Sequence, residues 1–173
     1  MNTLLLSLKW ITTLISFYTL NYHKIGTPPP QLQTMSQYSG KKVLLVNIAT
    51  NSNRVAQIGQ MQQLKNIFGD SLIVIGFPSN SFGKEPRTNA QIKTFCEANY
   101  NVTFPLADKA SVINPLQQLV YIWLTTVSQN GMLNQTIKGD FQKYLVNEQG
   151  VLIGIFAPSI TPTDKIIIDA VRN

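Results

Sequence analysis

Side chains able to carry redox or metal chemistry are few in this sequence. Its 173 residues include one cysteine, Cys96, and one histidine, His23. A single cysteine excludes an internal disulfide, a CxxC redox pair and a multi-cysteine zinc site. A single histidine leaves little material for a His-based catalytic triad or for most transition-metal sites. No metal and no bound cofactor is predicted, and thiol chemistry would have to pass through Cys96.

Ser52 is the other candidate nucleophile, because it follows a predicted strand at the turn into a helix. Some hydrolases expose a serine at such a turn. The surrounding residues do not form a GxSxG motif, and His23 lies in the N-terminal segment, far from Ser52 in the chain. A hydrolase is therefore disfavoured.

Apolar patterns predict the elements that must position these residues. Residues 43–49 and 72–77 are apolar runs of strand length, typical of strands buried on both faces. Residues 57–68 carry apolar side chains at helical spacing, and Gly69 follows as a stop signal. A strand, a helix and a strand over this length predict a right-handed crossover with parallel strands.

Further elements complete an α/β pattern. Thr88-Asn89 is expected to cap a helix that carries Ile92, Phe95 and Cys96. The remaining predicted elements are an extended piece at 102–106, a helix at 116–127 with Leu119, Val120, Trp123 and Leu124 on its apolar face, a hairpin at 144–146 and 151–156, and a terminal helix from about Pro162. The pattern predicts a mixed central sheet with helices on both faces.

The N-terminal residues form a separate predicted unit. Residues 1–24 are strongly apolar with aromatic flanks and predict an N-terminal apolar helix that serves as a membrane anchor or export segment; a helix packed on its own domain is the alternative. Residues 25–35 contain Pro28-Pro29-Pro30 and predict a stiff linker, so the folded domain is expected over 36–173. The expected location is membrane-anchored or exported, with the cytoplasm as the alternative.

The net charge of +6, from 14 basic and eight acidic residues, allows a nucleic-acid partner. The basic residues are scattered, however, with Lys41-Lys42 as the adjacent pair, and they do not alternate with aromatic residues. A groove that follows a phosphate backbone requires that alternation. We therefore expect no nucleic-acid partner.

Five collinear stretches between about residues 36 and 165 resemble the glutathione peroxidase family. They are Lys41–Ala49, Gly76–Gly83, Phe95–Pro105, Phe141–Val146 and Phe156–Pro158, which resemble the family's GK-V-LLIVNVA, GFPCNQFG, FC-x-x-NYGVTFP, F-x-KFLV and FAP motifs. The resemblance implies a thioredoxin-like fold. It also implies reduction of hydroperoxides in oxidative stress, with glutathione or thioredoxin as the reductant of an active member.

The resemblance also aligns this chain with the family's catalytic tetrad. Ser52 matches the position of the peroxidatic cysteine or selenocysteine, Ser81 that of the glutamine, and Gly139-Asp140 that of the Trp-Asn pair. Serine ionises far above neutral pH and cannot form a sulfenic acid, so normal peroxidase activity is not expected. The vacated site is alternatively a small-anion site with Ser52, backbone amides and Arg54 as donors, although the position of Arg54 favours a solvated helix charge.

Cys96 matches the resolving cysteine of thioredoxin-recycled members. The resemblance leaves two alternatives for it, a buried helix thiol or a thiol that exchanges with thioredoxin or glutathione and supports weak peroxidase activity. The region between Asn114 and Ile137 lacks a long insertion, which by resemblance to compact members suggests a monomer. Residues 31–39 are too short for the hairpin that normally precedes the first core strand, so this edge of the domain is expected to be trimmed.

Overall fold

The central sheet contains four strands in the order β4-β3-β5-β6. The computed structural model describes residues 14–26 and 31–173. The strands are β1 (Asn21–Lys24), β2 (Gln31–Thr34), β3 (Lys42–Ile48), β4 (Leu72–Pro78), β5 (Lys143–Val146) and β6 (Leu152–Phe156). The helices are α1 (Gln57–Phe68), α2 (Asn89–Tyr100), α3 (Leu119–Thr125), α4 (Val127–Asn130) and α5 (Lys165–Arg172).

Strand β3 pairs in parallel with β4 and antiparallel with β5, which pairs antiparallel with β6. Alternate residues of β3 enter two different cores: Val43 and Leu45 one, Leu44 and Val46 the other. Successive side chains of a strand point to opposite faces of the sheet, so one core covers each face. The predicted parallel crossover, the hairpin and the mixed sheet are confirmed.

Helices cover both faces of this sheet. Helices α1, α2 and α5 contribute Ile58, Ile92 and Ile167 to one core. Helix α3 contributes Tyr121 and Trp123 to the other, together with buried side chains of residues 17–22 and 35–38. The Thr88 cap of α2 is confirmed as a capping box with Gln91.

The N-terminal boundary differs from the prediction. Phe17–Thr19 form a short 3₁₀ turn, and β1 pairs antiparallel with β2, which lies inside the predicted linker. Phe17 and Tyr22 are buried in the core, because Phe17 packs beside Trp123 and Tyr22 beside Phe77. The hairpin before β3 is therefore present, and the core includes Phe17, Leu20 and Tyr22, which lie before the domain expected over 36–173.

The predicted N-terminal segment falls partly outside the described residues. Residues 1–13 and 27–30 lie outside them, and residues 17–24 do not form the expected helix. Across residues 14–26 and 31–173, no helix has the length and apolarity to cross a membrane.

Two C-terminal predictions also need correction. The helix expected at 116–127 begins at Leu119 and ends at Thr125, and Leu119 is exposed although the pattern places it on the apolar face. The last helix begins at Lys165 instead of Pro162. Asp164 caps it by accepting a hydrogen bond from the Ile166 amide at 3.0 Å.

Candidate functional site

An open cleft lies where β3 ends and the chain turns toward α1. Its volume is about 580 Å³, and it is lined by residues 50–55, Phe82, Lys84, Gly139 and Asp140. Ligands of open α/β sheets generally bind beyond the carboxyl ends of the strands, as here. The volume falls within the roughly 300–1,000 Å³ that is usual for small-molecule sites. The structure thus brings three of the four expected tetrad positions, Ser52, Gly139 and Asp140, to one cleft.

Asn47 holds the Gly139-Asp140 wall against the end of β3. Its Nδ2 donates to the Gly139 carbonyl at 2.9 Å, and its Oδ1 accepts from the Gln142 amide at 3.1 Å. Its carbonyl accepts from the Phe141 amide at 2.6 Å. Phe141 has a left-handed backbone with φ of 67°, a conformation that costs a non-glycine residue about 1–3 kcal/mol and persists only where its surroundings enforce it. Asn47 therefore fixes Asp140 in place.

The buried carboxylate of Glu85 holds the part of the cleft wall that Thr50 forms. Its Oε2 accepts from the Thr50 amide at 2.6 Å, and its Oε1 accepts from the Thr50 hydroxyl at 2.7 Å and the Arg87 amide at 3.1 Å. Arg87 Nη1 also donates to the Thr50 hydroxyl at 2.7 Å. The sequence pattern does not predict Glu85 and Lys84 as site residues, because both lie in a polar loop whose composition carries no signal of burial or of a cleft.

Thr50, Ser52 and Asp140 are the buried polar residues of the cleft lining, at 4%, 5% and 5% exposed. The Ser52 hydroxyl accepts a long hydrogen bond from the Arg54 amide at 3.3 Å. Within the described residues, Asp140 Oδ1 is buried and accepts no hydrogen bond. Burial raises the pKa of Asp140, and the positive charges of Arg54 and Lys84, with the neighbouring Ser52 hydroxyl, oppose that rise. The cleft therefore has a buried acceptor inside and cations nearer its surface.

Ser81 does not line this cleft. Its hydroxyl is hydrogen-bonded to the Ser79 and Ser111 hydroxyls at 2.8 and 3.2 Å and accepts from the Val112 amide at 3.0 Å. These partners hold the short side chain beside the 111–112 loop. Arg54 does line the cleft, and it lies in the turn before α1 and not on the helix.

Cys96 lies on α2, and its side chain packs in the core and not in the cleft. It is 0% exposed and packs in the same apolar cluster as Ile92 and Phe104. Burial raises the pKa of the Cys96 thiol to about 12, and the nearby carboxylates of Glu85 and Glu97 raise it further. A reactive thiol needs exposure and a lowered pKa, and Cys96 has neither.

The described residues contain no group of three or more His, Cys, Asp or Glu side chains that could hold a metal ion. The carboxylates near the cleft are instead committed to backbone and hydroxyl groups, as with Glu85, or flanked by cations, as with Asp140.

Solved structures share this architecture. The crystal structure of Trgpx in its apo form superposes with a TM-score of 0.67 at 26% identity, covering 93% of this chain and 98% of that one. A thiol:disulfide interchange protein of the thioredoxin family from Chlorobium tepidum superposes with a TM-score of 0.62. At 12% identity, over 92% of this chain and 97% of that one, this likeness shows the fold alone. The fold and its strand-end cleft define a thioredoxin-like protein.

Sequence comparison narrows this class to one family. The glutathione peroxidase family model matches residues 17–125. Glutathione peroxidase homolog BsaA of Bacillus subtilis is 32% identical over 146 residues, which are 83% of this chain and 91% of that protein. Hydroperoxy fatty acid reductase gpx1 of Synechocystis is 37% identical over 142 residues, 78% of this chain and 83% of that protein. The chain belongs to the glutathione peroxidase family.

Proposed function

We propose that this chain is a glutathione peroxidase family member that binds a small ligand in the Ser52–Asp140 cleft and does not reduce hydroperoxides by the thiol route. The observation that carries the proposal is the hydroxyl of Ser52 at the cleft position where the family resemblance expects sulfur. A cleft whose polar walls are held by Asn47 and Glu85 is retained without the atom that would react.

The chemistry of peroxide reduction explains why oxygen does not replace sulfur. A thiolate attacks one oxygen of the peroxide, the O–O bond breaks, and the other oxygen leaves with a proton as an alcohol or water. Sulfur is thereby oxidised to a sulfenic acid, which a second thiol reduces. A serine hydroxyl ionises far above neutral pH and has no corresponding oxidised state, so neither half of the cycle is available at Ser52.

The alternative function predicted from the sequence is thiol exchange through Cys96. Glutathione peroxidase membership and thioredoxin-like neighbours indicate redox partners of the thiol or thioredoxin type. Cys96 would be the contact atom for such a partner, but its burial and its raised pKa oppose thiolate formation. Exchange would first require opening of the core around α2.

A coupled peroxidase assay tests the proposal. Hydrogen peroxide and a fatty acid hydroperoxide are supplied with either thioredoxin and its reductase or glutathione and its reductase, and NADPH consumption is followed. We expect the rate to equal the protein-free blank in all four combinations. Turnover with either reductant would overturn the proposal. Turnover abolished by Cys96→Ser would then assign the activity to Cys96.

Variants at position 52 show whether the absence of sulfur there is what prevents reaction with peroxide. Ser52→Cys is exposed to peroxide, and sulfenic acid is trapped with a dimedone-type reagent and quantified by mass spectrometry. Ser128→Cys, at an exposed site on α4, reports the background oxidation of a surface thiol. We expect trapping at position 52 to exceed this background in the Ser52→Cys/Asp140→Asn variant, because the amide removes a carboxylate that raises a neighbouring thiol pKa.

A further inference from the structure

We propose that the cleft selects an α-amino carboxylate, with the ligand's ammonium group at Asp140 Oδ1 and its carboxylate at Arg54 and Lys84. This inference rests on the proposed binding function and names the ligand class. It follows from the different hydrogen bonding of Glu85 and Asp140, the two buried carboxylates near the cleft.

Glu85 and Asp140 are both buried, but only in Glu85 do both carboxylate oxygens accept hydrogen bonds from the protein. Glu85 accepts hydrogen bonds from Thr50 and Arg87 at 2.6–3.1 Å. Asp140 Oδ1 has no such partner among the described residues, although Asp140 is 5% exposed. Leaving a buried acceptor without a partner costs about 1–3 kcal/mol, more when the group is charged. A ligand donor in the cleft would remove this cost.

The charges along the cleft give the ligand a direction. Arg54 is half-buried and Lys84 is exposed, and the positive charge of each lowers the pKa of Asp140. A ligand anion therefore meets cations nearer the surface, whereas a ligand donor is needed deeper, at Asp140. An ammonium group supplies both donor protons and the charge opposite to a carboxylate. An α-amino carboxylate carries these two groups on adjacent carbon positions.

Three matched ligands separate this class from simple anions. L-Alanine, L-lactate and propionate have the same carbon skeleton and a carboxylate, and differ in carrying an ammonium, a hydroxyl or no donor at the second carbon. Their dissociation constants for the full chain are measured by amide chemical-shift titration in NMR. We expect L-alanine to bind roughly tenfold or more tightly than propionate, from one charge-assisted hydrogen bond, with lactate between them.

Cleft variants assign the selectivity to particular residues. Asp140→Asn should bring L-alanine to within about twofold of propionate, because the amide keeps the shape but loses the charge. Lys84→Gln, at an exposed and structurally undemanding site, should weaken L-alanine and propionate alike by a few fold while their ratio persists. Lys165→Gln, on α5 outside the cleft, is the control for a general loss of positive charge and should change neither value.

Each other outcome contradicts the inference. Equal binding of L-alanine and propionate would leave a simple anion site, and absence of shifts for all three ligands would remove the site. Retained preference for L-alanine in Asp140→Asn, at undiminished folding, would show that Asp140 is not the discriminating group. Peroxidase turnover overturns the proposed function without altering these ratios, so the two failures are distinguishable.

Discussion

Lys143 on β5 predicts an unusual dependence of stability on pH. Its side chain is 0% exposed, and its Nζ donates to the carbonyl oxygens of Pro158, at 3.3 Å, and of Ile160. The ion pairs of the described residues do not include it. Burial, with a further contribution from the charge of Arg54, lowers the pKa of Lys143 from its ordinary 10.5 to about 7. The buried amine is therefore neutral in mildly alkaline solution.

The sign of the effect follows from proton binding. Between pH 7 and pH 10.5 the unfolded chain holds a proton on Lys143 that the folded chain has lost. Stability rises with pH wherever the unfolded state binds more protons. The slope approaches about 1.4 kcal/mol per pH unit, and allowing for partial titration near pH 7 the gain from pH 7 to pH 9 is about 2 kcal/mol. This gain is absent below the folded pKa and complete above the unfolded one.

Urea unfolding of the wild type and of Lys143→Met from pH 6 to pH 9 measures this gain. Methionine has a similar length but no charge, so the difference between the two stability curves isolates the amine, and titration of other groups cancels. Lys165→Met is the control, because the Lys165 side chain is solvent-exposed. The curves should diverge by about 2 kcal/mol between pH 7 and pH 9 for Lys143→Met alone. A constant difference over this range would refute the lowered pKa.

Three further predictions concern individual contacts that stabilise the fold. Glu85→Gln should lower the free energy of unfolding by about 3 kcal/mol, measured by urea unfolding, because the NH2 group that replaces one carboxylate oxygen cannot accept and leaves at least one of the buried Thr50 and Arg87 donors without an acceptor; an unchanged midpoint would contradict the assigned hydrogen bonds. Phe17→Ala should cost about 3–5 kcal/mol by the same measurement, since Phe17 is a buried core residue, whereas little change would place it outside the folded unit. Thr88→Ala should cost about 1 kcal/mol through loss of the α2 capping box, and Thr88→Ser, which retains the hydroxyl, should recover most of it.

Local patterns predicted those parts of the fold whose signals are local. Helix α1 has the expected bounds, because apolar spacing over 57–68 and a following glycine are contained in one stretch of chain. Strands β3 and β4 were likewise predicted to within one residue, since a strand buried on both faces is an unbroken apolar run.

The N-terminal boundary depended on a distant partner and was missed for that reason. Trp123 Nε1 donates to the Ile15 carbonyl at 2.7 Å, across 108 residues. An apolar and aromatic segment has the same composition whether it packs against a core or against lipid, so the pattern at 14–24 does not distinguish them. Ser81 was misplaced in the same way, because its hydrogen-bond partner Ser111 lies 30 residues away in the chain and Val112 follows it.

The residues at positions 52 and 140 are chemically consistent with each other. A buried carboxylate at Asp140 would raise the pKa of a thiol beside it and so suppress the thiolate that peroxide reduction needs. With the Ser52 hydroxyl at that position there is no thiolate to suppress, and the hydroxyl instead favours the ionised form of Asp140. Ser52→Cys alone therefore restores sulfur but keeps the carboxylate that would raise the pKa of the new thiol. The double variant with Asp140→Asn should react with peroxide faster than Ser52→Cys alone, and equal rates would mean that Asp140 does not act on position 52.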